Sequence, residues 1–156
     1  MFIRVVAVGT RMPAWVDAAL DDYARRLPGD WRVEWREVRA EPRGESGHPE
    51  AWLRREAERI RAAVPAGARL VMLDERGSDL DTVRFARRVG AWREQARPVA
   101  IVIGGPDGID AALGREADET LRLSSLTLPH AMVRVLLAEQ LFRAWSILAG
   151  HPYHRA

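Results

Sequence analysis

The strongest constraint on this chain is Val99-Ala100-Ile101-Val102-Ile103, an unbroken apolar run set between Pro98 and Gly104-Gly105. It is too short for a typical helix and has no polar alternate face. Such a run fits a strand covered on both sides, as in the centre of a parallel sheet. Arg69 to Leu73 reads as a second buried strand, ending at Asp74. Phe2 to Val8 is a third, stopped by Gly9. Trp31 to Val38 alternates and predicts a half-buried edge strand, and Thr120 to Leu123 a short strand. Helical spacing predicts helices from Pro13, closed by Pro28-Gly29, then over Glu50–Val64, Asp79–Gln95, Asp110–Asp118 and His130–Leu148. Ala40 to Pro49, with Pro42, Gly44 and Gly47 among charges, reads as a mobile loop of the kind that often carries function. The alternation predicts an α/β fold, a mainly parallel sheet flanked by helices. With no repeat and no linker, residues 1–156 are expected to form one domain.

Composition removes many chemistries. Cysteine is absent, which excludes disulfides, iron–sulfur clusters, cysteine zinc sites and a thiol nucleophile. All 24 basic side chains are arginine, so neither a P-loop lysine nor a pyridoxal Schiff base is possible. Arginine stacks on bases and clamps phosphate in a fixed fork. The net charge is only +2, but from Leu121 to Ala156 four arginines and three histidines face the single acid Glu139. That end is the basic end. No apolar run approaches the roughly 18 residues needed to cross a bilayer. The N-terminus lacks the features of a signal peptide, so no membrane association and a cytoplasmic location are expected.

The final helix is apolar around most of its circumference, from Met132 and Val133 to Ile147 and Leu148. Such a helix is buried on nearly all sides. In so small a domain this predicts a symmetric dimer; the alternative is a helix held between the sheet and another helix of the same chain.

Four segments carry chemistry. Gly104-Gly105-Pro106-Asp107-Gly108 follows the central strand, where ligands of open α/β sheets bind and where glycine lets backbone approach a ligand. A side chain at Gly104 is expected to block that ligand while sparing the fold. Leu123-Ser124-Ser125-Leu126-Thr127-Leu128-Pro129-His130 alternates apolar and hydroxyl groups, suited to wrapping a flat apolar group. It also serves as a capping segment, with Thr127 near the helix start and His130 as the helix's second residue. Glu139 and Arg143 are spaced to pair on one helix face, turning Arg143 toward a phosphate or substrate or serving only as a structural ion pair. The tail His151-Pro152-Tyr153-His154-Arg155 concentrates groups that stack on bases and titrate near neutrality. No carboxylate or thiolate accompanies its histidines, so no metal is expected.

With these residues in place, the sequence resembles the RlmH (YbeA-like) family, small SPOUT-class RNA methyltransferases. The likeness runs from Val6-Ala7-Val8-Gly9-Thr10-Arg11-Met12-Pro13-Ala14-Trp15 through Ile103–Gly108 and Leu123–His130 to Arg134, Ala138–Ala144 and Pro152-Tyr153-His154-Arg155. Phe142 stands where the family often has Tyr, and Ala156 where it often ends in an acid or lysine.

The resemblance implies a C-terminal trefoil knot, a homodimer, and methyl transfer from S-adenosylmethionine to N3 of a pseudouridine in 23S rRNA of the assembled ribosome. It puts the cofactor on Leu73, Gly104, Leu123, Ser124, Ser125, Leu126, Thr127 and Leu128. The acceptor nitrogen must lose a proton, so a base or a cation nearby lowers the barrier. His154, Arg155, Arg143 and His130 are the candidates, with Tyr153 stacking on the base and the tail reaching across from the other subunit. A ribose 2′-O-methyltransferase and a non-catalytic RNA-binding assembly factor are the alternatives. The apolar loop 123–128 speaks against the latter.

Overall fold

A computed structural model describes residues 1–155; Ala156, the expected end of the domain, lies outside the described residues. The elements run β1 (Phe2–Val8), α1 (Ala14–Arg26), β2 (Arg32–Val38), α2 (Pro49–Ala63), β3 (Arg69–Asp79), α3 (Thr82–Glu94), β4 (Val99–Ile103), α4 (Ala111–Glu116), β5 (Glu119–Arg122) and α5 (His130–Leu148). The strands form one sheet in the order β2-β1-β4-β3-β5, and every pairing is parallel. β4 is central and entirely buried, and β2 is at an edge, both as its residue pattern predicts.

Side chains alternate between two cores, as the pleat requires. Ile3, Val5, Val71, Val99 and Ile101 face Ala86, Val89 and Trp92 of α3 and Leu137, Leu141 and Ala144 of α5. Val6, Met72, Ala100 and Val102 face Ala57 and Ile60 of α2 and Leu113 of α4. Trp92 is fully buried, and its Nε1 donates to Glu119 Oε2 at 2.6 Å. The same carboxylate accepts from Arg69 at 2.7 Å and from Arg88. Burial alone would raise the Glu119 pKa, but Arg69, Trp92 and Arg88 together hold it below the usual range.

Two boundaries differ from the sequence reading by more than two residues. β3 does not end at Asp74: after a bulge between Leu73 and Ser78 it resumes pairing, Ser78 with Leu121 and Asp79 with Arg122. Glycine permits this, because a Cβ at Gly77 would lie 2.5 Å from the Leu121 carbonyl carbon. The helix expected from Asp79 therefore begins at Thr82, with Asp81 accepting from the Arg84 N–H at 2.8 Å as its cap. α5 spans His130–Leu148 as expected, and it begins after Pro129 with no side-chain cap. Thr127 does not cap the helix; instead Ser124 Oγ accepts the Leu126 N–H at 2.9 Å.

The apolar circumference of α5 is covered largely within the chain. One side meets α3 and the sheet, the other meets Val16 and Leu20 of α1 through Ala138. Met132 and Leu148 stay exposed. Among the described residues no helix is long and apolar enough to cross a membrane.

Candidate functional site

The carboxyl ends of β3 and β5 open on a cavity of about 340 Å³. Its walls are mostly apolar, with Leu73, Leu123, Leu126, Leu128, Leu136 and Leu137 joined by Leu80, just before α3, and Phe85 in its first turn. Thr82, Arg122, Ser124 and Gln140 supply the polar groups. Thr82 Oγ1 donates to Gln140 Oε1 at 3.0 Å, closing α3 against α5 beside the cavity. Arg122 reaches Asp79 at 3.3 Å, yet its buried Nε has no partner. Such a donor commonly marks a place a ligand completes.

Five of the eight residues expected to hold a cofactor line this cavity: Leu73, Leu123, Ser124, Leu126 and Leu128. Ser125 and Thr127 are exposed, and Gly104 lies outside the lining. A Cβ at Gly104 would sit 2.7 Å from Ile109 Cγ1 and 2.8 Å from the Gly108 carbonyl oxygen. The glycine is thus required by its own turn, and the expectation that a side chain at Gly104 would spare the fold is corrected. The α3 wall escaped sequence reading because its side chains reach the cavity only through tertiary packing.

The residues expected to do chemistry fall into two groups at opposite ends of α5. His130 stands in its first turn and Arg143 about 20 Å further along at the ordinary helical rise. The His130 Nε2 accepts from Arg134 Nε at 2.9 Å. Arg134 is almost wholly buried; its Nη1 donates to Glu37 at 2.6 Å and its Nη2 to the Gly9 carbonyl at 2.9 Å. One guanidinium thus joins α5 to the ends of β1 and β2. Burial, then the charge of Arg134, pushes the His130 pKa down against the opposing pull of the Gly104 backbone. The signal for this hub was an arginine flanked by Met132, Val133, Val135, Leu136 and Leu137 in the first half of an apolar helix.

At the far end, the Glu139–Arg143 pair forms as spaced, with Nε to Oε1 at 2.8 Å. Arg143 does not point away. Its guanidinium lies 4.8 Å from the Tyr153 ring centre and its Nη1 is 3.2 Å from His154 Nδ1. Tyr153 packs edge-on to Phe142 at 4.6 Å and donates to Glu139 at 3.0 Å, while His151 lies 5.1 Å from Trp145. Burial first, and then the Glu139 carboxylate, raises the Tyr153 pKa to about 12. The tail therefore lies on its own helix within one chain, with Arg155 exposed. Among the described residues no three acidic or histidine side chains converge as a metal site would need.

A family model described as a predicted SPOUT methyltransferase matches residues 1–154. A ribosomal RNA large subunit methyltransferase H from Bordetella petrii is 56% identical over 156 residues, all of both chains. Proteins of that name from Methylibium petroleiphilum and Delftia acidovorans are 56% and 54% identical over 155 residues, 99% of each chain. The solved structure of a probable methylase family protein from Haemophilus influenzae Rd KW20 matches with a TM-score of 0.54 at 18% identity, over 99% of this chain and 70% of that one. That likeness concerns the fold alone. By the extent of the family match and of its relatives, the chain belongs to the SPOUT methyltransferase family.

Proposed function

We propose that residues 1–156 form a single SPOUT domain, knotted at its C-terminal part, that acts as a cytoplasmic homodimer. It transfers a methyl group from S-adenosylmethionine to N3 of a pseudouridine in 23S rRNA of the assembled ribosome. End-to-end identity with proteins named as large-subunit rRNA methyltransferases supports the substrate class. The observation that carries the reading is the apolar cavity at the carboxyl ends of β3 and β5, with its unpaired Arg122 Nε. Its volume is at the lower end of the roughly 300–1,000 Å³ usual for small-molecule sites. Leu73, Leu123, Leu126 and Leu128 suit a flat adenosyl group, Ser124, Thr82 and Gln140 suit its polar edges, and Arg122 suits a carboxylate. The residues present fit the cofactor. When bound, it supplies an electrophilic methyl on a sulfonium and needs no metal.

The chain's own task is to position the acceptor and manage its proton. With its pKa at about 12, Tyr153 stays a neutral phenol at working pH, a stacking surface and donor rather than a base. Arg143 and Arg155 supply positive charge for the developing anion, and His154, beside Arg143, is the group that accepts the proton. His130 is bonded to the buried Arg134, so its role is to position that guanidinium. The exposed Trp15, Leu126 and Met132 offer apolar surface to a second copy. In the proposed dimer the tail of one subunit serves the cavity of the other.

Mass mapping of 23S rRNA from cells with and without the gene tests this reading, together with calorimetric titration of the protein with S-adenosylmethionine. Loss of an N3-methylated pseudouridine, restored by purified protein acting on ribosomes, is the expected result. Loss of a ribose methyl, or no affinity for the cofactor, would overturn it.

A further inference from the structure

Loop 40–47 contributes little to either core, yet an ion network fixes it. Glu56 of α2 is only 2% exposed. It accepts the Glu41 N–H at 2.9 Å and Arg43 Nη1 at 2.6 Å. A carboxylate buried so deeply is costly unless bonded on several sides. Arg43 uses its other edge on a different part of the fold: its Nε donates to Asp107 Oδ2 at 2.8 Å, in the turn after β4. The guanidinium also lies 5.2 Å from the Trp52 ring centre, and its Nη1 donates to the Glu41 carbonyl at 2.6 Å. Gly105 sits over this network: a Cβ there would be 3.7 Å from Glu56 Oε1 and 3.1 Å from Val8 Cγ1. One planar fork thus ties α2, loop 40–47 and the glycine turn together.

We propose that Arg43 is a positioning residue for methyl transfer. Through Asp107 it holds the Gly105–Gly108 turn, which follows closely on Ile103, the β4 partner of the cavity residue Leu73, and so keeps that side of the cavity in the arrangement that receives the methyl donor. This rests on the function proposed above. The Arg43–Asp107 link contributes little to stability, because Asp107 is 42% exposed and the turn is already closed by the Gly108 N–H on the Gly105 carbonyl at 3.0 Å. What the link supplies is a preorganised backbone, and preorganisation is read in ligand affinity.

The test uses the full-length protein and four variants: Asp107→Ala, Arg43→Gln, their double, and Arg43→Lys. Arg43→Gln keeps a donor for Glu56 but cannot reach both acids. Calorimetry with S-adenosylmethionine should show about five- to tenfold weaker binding in each of the first two. The double variant should be no worse than either, because both cut one link. Arg43→Lys, with a point charge in place of a fork, should fall between. The methylation rate at saturating cofactor should stay within about twofold, and the melting temperature of Asp107→Ala within about 2 °C. Affinity within twofold of the parent in Asp107→Ala would overturn the proposal. So would an effect of Asp107→Ala with none from Arg43→Gln, since Asp107 would then act directly. Absence of cofactor binding by the parent protein would instead overturn the function on which the proposal rests.

Discussion

The Tyr153 hydroxyl donates to Glu139 Oε1 at 3.0 Å, and that same oxygen accepts Arg143 Nε at 2.8 Å. A phenol bonded to a carboxylate and partly buried resists ionisation. In a Tyr23→Phe background, absorbance titration should show Tyr153 ionising at about 12. Glu139→Gln should move it back toward 10, the value of a free tyrosine. The folded pKa exceeds the unfolded one, so the contribution to stability is intact below about pH 10 and is lost as pH rises toward 12.

Deleting Tyr153–Ala156 removes that bond and the edge-on contact with Phe142. The loss should be about 1–2 kcal/mol in chemical denaturation. A tail without tertiary contacts would cost nothing. Cofactor binding should persist, while methylation of ribosomes should fall by about 10²-fold or more.

His130 sets an acid limit. Its folded pKa lies below the ordinary 6.5, so above that value the imidazole is neutral folded or unfolded and stability is intact. As pH falls below 6.5 the unfolded chain takes up the proton first and stability is lost. Urea midpoints at pH 7.5 and 5.5 should therefore differ more in the parent than in His130→Gln. Equal differences would place the acid sensitivity elsewhere.

Gly104→Ala tests the turn. The added Cβ must displace Ile109 or the Gly108 carbonyl, a strain of about 1–3 kcal/mol. Thermal unfolding should show that loss even without cofactor. A variant as stable as the parent would restore the reading in which only the ligand requires this glycine.

Trp92→Ala should cost about 3–5 kcal/mol, because it opens a cavity at the α3–sheet contact and leaves Glu119 with one donor fewer. Trp92→Phe separates the two effects, keeping most of the packing and losing only the bond.

The parts of the fold legible in the sequence are those set by local pattern. Val99–Ile103 has no polar face, and it is the central strand; the apolar stretch starting at His130 is α5, residue for residue. The loop 123–128 was legible as a cavity wall for the same reason, since its leucines alternate with hydroxyls. What escaped is non-local. The return of β3 to the sheet at Ser78 is a pairing of backbone, and the charges of Asp74 to Arg76 hide it from any hydrophobic period. Arg134 acquires its meaning from Glu37 and Gly9, residues far away in sequence. Thr127 obeys the local rules for a cap, but Pro129 takes the position next to the helix. The cavity's α3 wall depends on where that helix begins, which the bulge decides.

At Gly77 the sheet has no room for even one methyl group, because the Leu121 backbone occupies the space where it would go. The peptide that leads into the cavity's leucine loop thus departs from a point no substitution at residue 77 can leave undisturbed. A side chain at residue 77 would shift the strand end from which the loop departs, and one wall of the cavity would move with it.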